Sequence, residues 1–189
     1  MTARTEELER SLSGRIVLLG IGSRWRGDDA AGPEVLARVA GRVRATCIEA
    51  GDAPERHLGE ATRGRPDAIV LVDAVDFGGA PGEVAVFRAG DLPPRAGTTH
   101  QTALGVLMRY LREESGAEVL LIGVQPASVG FGEPMSEAVR EGVARVAQLL
   151  TARLPLRDSL GDEDEASPGP QGPWPDGRGE DEGEGLLWT

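Results

Sequence analysis

Lysine is absent from the 189-residue chain; all 20 basic side chains are arginine. That excludes Schiff-base chemistry through lysine and the phosphate-gripping lysine of a P-loop. Cysteine occurs once, at Cys47, which excludes an internal disulfide and any zinc or iron–sulfur centre built on several thiolates. Histidine occurs twice, at His57 and His100. No apolar run approaches the roughly 20 residues needed to cross a bilayer. Residues 1–15 are polar and charged, without the apolar segment of a secretion signal. The expected location is therefore the cytoplasm, with no membrane partner.

What is abundant is acid, and it is unevenly placed. The net charge is −11. From position 155 onward ten acidic residues stand against Arg157 and Arg178, so −8 of the total lies there. The remainder is near neutral, which argues against nucleic acid as a partner. The segment 155–189 is rich in Gly, Pro, Asp and Glu and is expected to be a disordered tail, because it has too little apolar surface to offset the entropy of ordering. Its last residues, Leu186, Leu187 and Trp188, form a small apolar end. Residues 1–13 are expected to form a flexible arm with a helical turn near Glu6 to Leu12.

Between them, residues 14–154 read as one α/β domain. Apolar runs at 16–20, 68–72 and 118–124 have the length and β-branching of buried strands. A short strand at 45–49 adds to these. The alternating EVAVFR at 83–88 suits an edge strand with one wet face. Three stripes at helical spacing separate them: Val35, Leu36, Val39 and Val43; Leu104, Leu107, Met108 and Leu111; and Val139, Val143, Val146 and Leu150. A weak helix is expected from Pro54 to about Arg63. Strands alternating with helices predict a three-layer α/β/α fold around a mostly parallel, twisted sheet of about five strands, with AIVLV at its centre.

The stretch organising the chain is IVLLGIGSRWRGDDAAG, residues 16–32. A strand runs into a glycine turn, and Asp28 and Asp29 arrive where a helix begins. Helix capping needs one aspartate; the second is left over, beyond the carboxyl end of a strand, where open α/β sheets place their sites. The central strand ends in Asp73, with Asp76 close behind, and Glu49 ends the second strand. His100 lies in the loop before the second apolar stripe, within reach of the same edge. Asp29, Asp73 and His100 make a two-carboxylate, one-imidazole ligand set suited to zinc, nickel or manganese. Three protein ligands leave coordination positions open. The plain alternative is capping, turn formation and a hydrogen-bonded histidine. His57 falls in the weak helix and reads as solvated. Nucleotide binding is disfavoured: the glycines are spaced G-x-G-x-x-x-x-G, and two carboxylates would face the phosphates. A G-x-S-x-G elbow is also missing.

GIGSRWRGDDAAGP resembles the opening motif of the hydrogenase maturation endopeptidases. The likeness continues through IVLVDAVDFGGAPGEVAVF, THQTALGVL and LIGVQPASVGFGEPMSEAV, over about residues 14–152. APE after Asp52, TTH and IGVQP…VGF…PMS look closest to the subgroup serving formate-hydrogenlyase-type hydrogenases. The resemblance implies an α/β/α endopeptidase that trims the C-terminal extension of a nickel–iron hydrogenase large-subunit precursor after nickel insertion. It implies that Asp29, Asp73 and His100 are the catalytic and metal-contacting residues and that nickel arrives with the precursor; a monomer is expected. The family's glycine loop linked to substrate choice falls on Glu49-Ala50-Gly51-Asp52, making Glu49, Gly51 and Asp52 the expected substrate-binding residues. Ala50 replaces a permissive glycine there, and Asp52 adds a charge. The rival reading on the same scaffold is a non-catalytic nickel-sensing or chaperone-like binder.

Overall fold

The structure is a computed structural model, and it describes Leu8, residues 10–92 and residues 99–156, excepting the side chains of residues 99–101. The expected acidic tail beyond Leu156, with its apolar end, lies outside the described residues, as do most of the first nine residues and the Pro-rich segment 93–98.

Five strands form the sheet: β1 (Ile16–Ile21), β2 (Thr46–Gly51), β3 (Ala68–Ala74), β4 (Val84–Phe87) and β5 (Glu118–Val124). The helices are α1 (Ala31–Val39), the single turn α2 (Leu58–Ala61), α3 (Thr99–Ser115) and α4 (Glu137–Arg153). Two 3₁₀ turns, Gly27–Ala30 and Pro54–His57, lead into α1 and α2. The expected helix from Pro54 is thus split between a 3₁₀ turn and one α turn.

The strand order is β2-β1-β3-β5-β4. β1, β2, β3 and β5 are parallel, and β4 runs antiparallel to β5. AIVLVDA is central and buried at every position, as its unbroken apolar character predicts. β4 lies at the edge, with three of its four residues half-buried. The expected five-stranded, mostly parallel three-layer fold is the one observed.

Side-chain alternation divides the core. On one face Leu18, Val70, Val72 and Ile122 pack with Val35, Leu36 and Val39 of α1 and Val139, Val143 and Leu150 of α4. On the other, Leu19, Ile69, Leu71 and Leu121 pack with Leu104, Leu107, Met108 and Leu111 of α3. Residues 8, 10 and 11 are helical, and Leu8 and Leu12 are buried in the first of these clusters. This part of the expected loose arm is therefore docked, because its two leucines, one turn apart, cover a core that α1 and α4 leave open.

From β1 the chain crosses to β2 on one side, and β3 lies on the other. The carboxyl ends of β1 and β3 therefore flank the switch point of the sheet, where α/β folds open a crevice. Helix α1 comes unusually close to this edge. A Cβ on Gly32 would collide with the carbonyl oxygens of Ile21 and Val72, so only glycine lets the helix start sit on the two strand ends. Gly32→Ala should lower stability by about 1–3 kcal/mol through overpacking. Its urea midpoint is the measurement, and an unchanged midpoint would refute the close-contact argument.

Candidate active site at the switch point

The turn after β1 folds on itself before α1 begins. Gly22 adopts φ +118°, and its N–H donates to the Gly51 carbonyl of β2 at 2.8 Å. A side chain there would strike the Asp29 carbonyl, so glycine is required. The Ser23 N–H donates to Asp29 Oδ2 at 2.8 Å, which ties this carboxylate to the mouth of the loop. The Asp29 N–H donates to the Arg26 carbonyl at 3.0 Å. Asp29 remains half-buried.

Neither aspartate caps α1: the turn Gly27–Ala30 and the helix after it lack a side-chain cap. Asp28 reaches across the molecule instead. Its side chain is 1% exposed, yet it accepts hydrogen bonds from the Ala127 N–H at 2.8 Å, the Ser128 N–H at 3.1 Å, the Ser136 N–H at 2.6 Å and the Ser136 hydroxyl at 3.0 Å. The Asp28 N–H donates to the Ser128 carbonyl at 3.0 Å. Ser136 is the N-cap of α4, and its Oγ accepts from the Val139 N–H. Asp28 thus fixes the capping residue of a helix more than a hundred residues away. The carboxylate also sits at that helix's positive end, where the dipole favours it. Burial works to raise the Asp28 pKa, but three backbone N–H bonds and the Ser136 hydroxyl outweigh it and hold the acid below its ordinary value.

Asp73 is the penultimate residue of β3 and is fully buried. Strand alternation puts it on the side of Ile69 and Leu71, the face that α3 covers. The turn carrying Asp28 and Asp29 packs directly against β3, so the elements bearing Asp29 and Asp73 meet at one edge. Position 100 is in the first turn of α3, not in a loop. Helix α3 hands over through Gly116 and Ala117 to the amino end of β5, so its opposite end, with position 100, lies toward the carboxyl edge. The His100 side chain is outside the described residues. Among the described residues no three carboxylate, imidazole or thiol groups form a metal-holding cluster.

The loop after β2 is tied to the turn after β1. Glu49 is held by Arg24, which donates from Nε and Nη2 at 2.8 Å each. That bidentate pair lowers the Glu49 pKa, against a smaller opposing effect of burial. Arg24 also reaches the Pro33 carbonyl. Arg24 therefore ties the turn after β1 both to Glu49 of β2 and to the start of α1, while Gly51 contributes its carbonyl to Gly22. Asp52 is exposed. The register of β1 and β2 shifts between Gly20 and Ile21, a bulge of the kind that re-aims a strand end beside a site. His57 is half-exposed and faces Glu60 Oε2 at 3.4 Å.

Gln125 was not singled out by sequence reasoning. It is 6% exposed, and its Oε1 accepts from the N–H groups of Phe77, Gly78 and Gly79, while Nε2 donates to Asp76 Oδ1 at 2.9 Å. One amide therefore shapes the loop that follows Asp73. A Gln after a buried strand and before Pro126 was the available signal, but its partners lie nearly fifty positions away.

Residues 34–153 match the family model of HycI, described as hydrogenase maturation protease. The chain is 36% identical over 137 residues to the hydrogenase 3 maturation protease of Escherichia coli K12, covering 71% of this chain and 87% of that one. Among solved structures it is similar to HycI, a [NiFe] hydrogenase maturation protease from Thermococcus kodakarensis, with a TM-score of 0.72, 37% identity, and coverage of 78% of this chain and 98% of that one. The solution structure of the E. coli endopeptidase HycI matches with a TM-score of 0.65 and 33% identity, over 74% of this chain and 90% of that one.

The Asp28 geometry has a measurable consequence. A group whose folded pKa lies below its unfolded value stabilises fully above the unfolded pKa, about 3.9 for Asp, and the benefit is lost as pH falls through the folded value. Asp28→Asn should cost about 1–3 kcal/mol at neutral pH, because an amide N–H₂ would face N–H donors. Urea midpoints of both proteins should converge as pH is lowered below the ordinary aspartate range. A gap independent of pH would show that the charge is not what holds the loop.

Proposed function

The chain belongs to the hydrogenase maturation protease family, a family of peptide-bond hydrolases, and we propose that it removes the C-terminal extension of a nickel–iron hydrogenase large-subunit precursor once nickel is in place. The observation that carries this reading is the meeting of two elements at the switch point: the turn bearing Asp29 packs on the strand that ends in Asp73.

Nickel belongs to the substrate in this reading. Asp29, Asp73 and His100 supply two carboxylates and an imidazole, a donor set that suits a borderline divalent ion. They complete the coordination of an ion that the precursor already holds, so the enzyme alone should hold metal weakly. Selection for loaded precursor then follows, because an empty precursor offers this trio nothing to bind. Hydrolysis adds water oxygen to the scissile carbonyl carbon, and the C–N bond breaks. One water proton passes by way of a carboxylate to the departing amine. Asp29 is the better placed of the two for that transfer, since it is half-buried while Asp73 is fully enclosed.

In this reading the enzyme works in the cytoplasm as a monomer; among the described residues no helix is long and apolar enough to cross a membrane. The loop Glu49-Ala50-Gly51-Asp52 contributes to substrate choice through exposed Asp52, with Glu49 and Gly51 holding its shape.

Purified nickel-loaded precursor incubated with the chain should lose a C-terminal peptide, read as a mass change. Asp29→Ala, Asp73→Ala and His100→Ala should each slow that cleavage by about 100-fold or more. Full activity in all three variants would remove the assignment. Stable binding of precursor without any mass change would favour the non-catalytic binder.

A further inference from the structure

Trp25 is 73% exposed and Phe131 82% exposed, the two most exposed large apolar side chains among the described residues. Val129 beside them is 40% exposed. Scattered surface hydrophobes are ordinary, but these are not scattered in the fold. The Gly132 N–H donates to the Trp25 carbonyl at 2.7 Å, joining the loop that carries Trp25 to the loop that carries Val129 and Phe131. A Cβ at Gly27 would sit against the carbonyls of Ser128 and Gly130, so the two backbones run side by side. The chain has only seven aromatic residues. Phe77 and Phe87 pack against each other as tilted rings, centroids 5.5 Å apart, whereas Trp25 and Phe131 face water.

We propose that Trp25, Val129 and Phe131 form the docking rim for the folded large-subunit precursor, the apolar surface that seats it while its nickel meets Asp29 and Asp73. This rests on the protease reading above. Trp25 lies four residues before Asp29, and both belong to the turn that Asp28 fastens to Ala127 and Ser128. The rim is therefore part of the same hydrogen-bonded unit as the candidate catalytic carboxylate. Ser23, two residues before Trp25, donates its N–H to Asp29 Oδ2 at 2.8 Å, so the loop that presents the aromatic also holds the carboxylate. Aromatic side chains held on fixed backbone lose little entropy when covered, which is why such residues carry a large share of binding at interfaces.

The test uses the full chain and purified nickel-loaded precursor from the same host. Cleavage rate is followed against precursor concentration for wild type, for the double variant Trp25→Ala/Phe131→Ala, and for the conservative double variant Trp25→Phe/Phe131→Leu. The alanine pair should raise KM about tenfold or more with kcat changed less than about twofold, and an unchanged melting temperature should accompany it. The conservative pair should recover most of the loss. An unchanged KM in the alanine pair overturns the rim while leaving the protease reading intact. A fall in kcat at constant KM also overturns it, since the residues would then act on the reacting centre. Sedimentation showing a wild-type dimer that the alanine pair dissolves, with KM unaltered, assigns the rim to a second copy and overturns the proposal. A wild-type chain that neither binds nor cleaves the precursor removes the protease reading, and the rim with it.

Discussion

A single buried carboxylate holds this edge of the molecule together. Asp28 accepts four hydrogen bonds from a loop and a helix start roughly a hundred residues downstream. An ionised acid that is 1% exposed is tolerable only because each bond is to a donor aimed at it. The consequence is structural coupling. The turn after β1, the loop after β5 and the N-terminus of α4 share one anchor, and they cannot move independently without stranding a charge in the core. Asp29 is the next residue along. Its position at the crevice is inherited from its neighbour's burial.

The close approach of α1 to the sheet serves the same end. Gly32 lets the helix start rest on the carbonyls of Ile21 and Val72, and Gly22 lets the chain turn back to β2. The turn between them is thereby pressed onto β3, the strand that delivers Asp73. Arg24, clasping Glu49, closes the outer side. Buried polar groups of this kind are expensive unless fully satisfied. Their concentration at the carboxyl edge marks where the fold spends stability on geometry.

The two candidate carboxylates have unequal surroundings. Asp73 is enclosed on the α3 face of the central strand, whereas Asp29 is half-buried and tied to a loop. Under the proposed reading, an enclosed carboxylate and a more accessible one would suit a site that accepts an ion presented by another protein. The exposed aromatics Trp25 and Phe131 stand on two loops that the Gly132 N–H to Trp25 carbonyl bond joins.

Periodicity alone carried the architecture: unbroken apolar runs at 68–72 and 119–124 belong to strands covered on both faces, EVAVFR to an edge, and the three apolar stripes to helices, because burial imposes those patterns locally. The glycine turn followed by paired aspartates, and the Asp at the end of the central strand, were legible for the same reason: strand ends and turns are short-range features. The partners of Asp28, Glu49 and Gln125 were not legible. Asp28 fell at the start of its own helix and holds the capping residue of another; Glu49 closed a strand and is clasped by Arg24; Leu8 and Leu12 read as part of a loose arm and fill the core. Each of these depends on contacts between residues far apart in the chain. A local sequence pattern encodes which face is apolar and where the chain turns, but not which distant donor will meet a given carboxylate. Only the folded backbone, by bringing the 125–136 loop over the turn after β1, decided that.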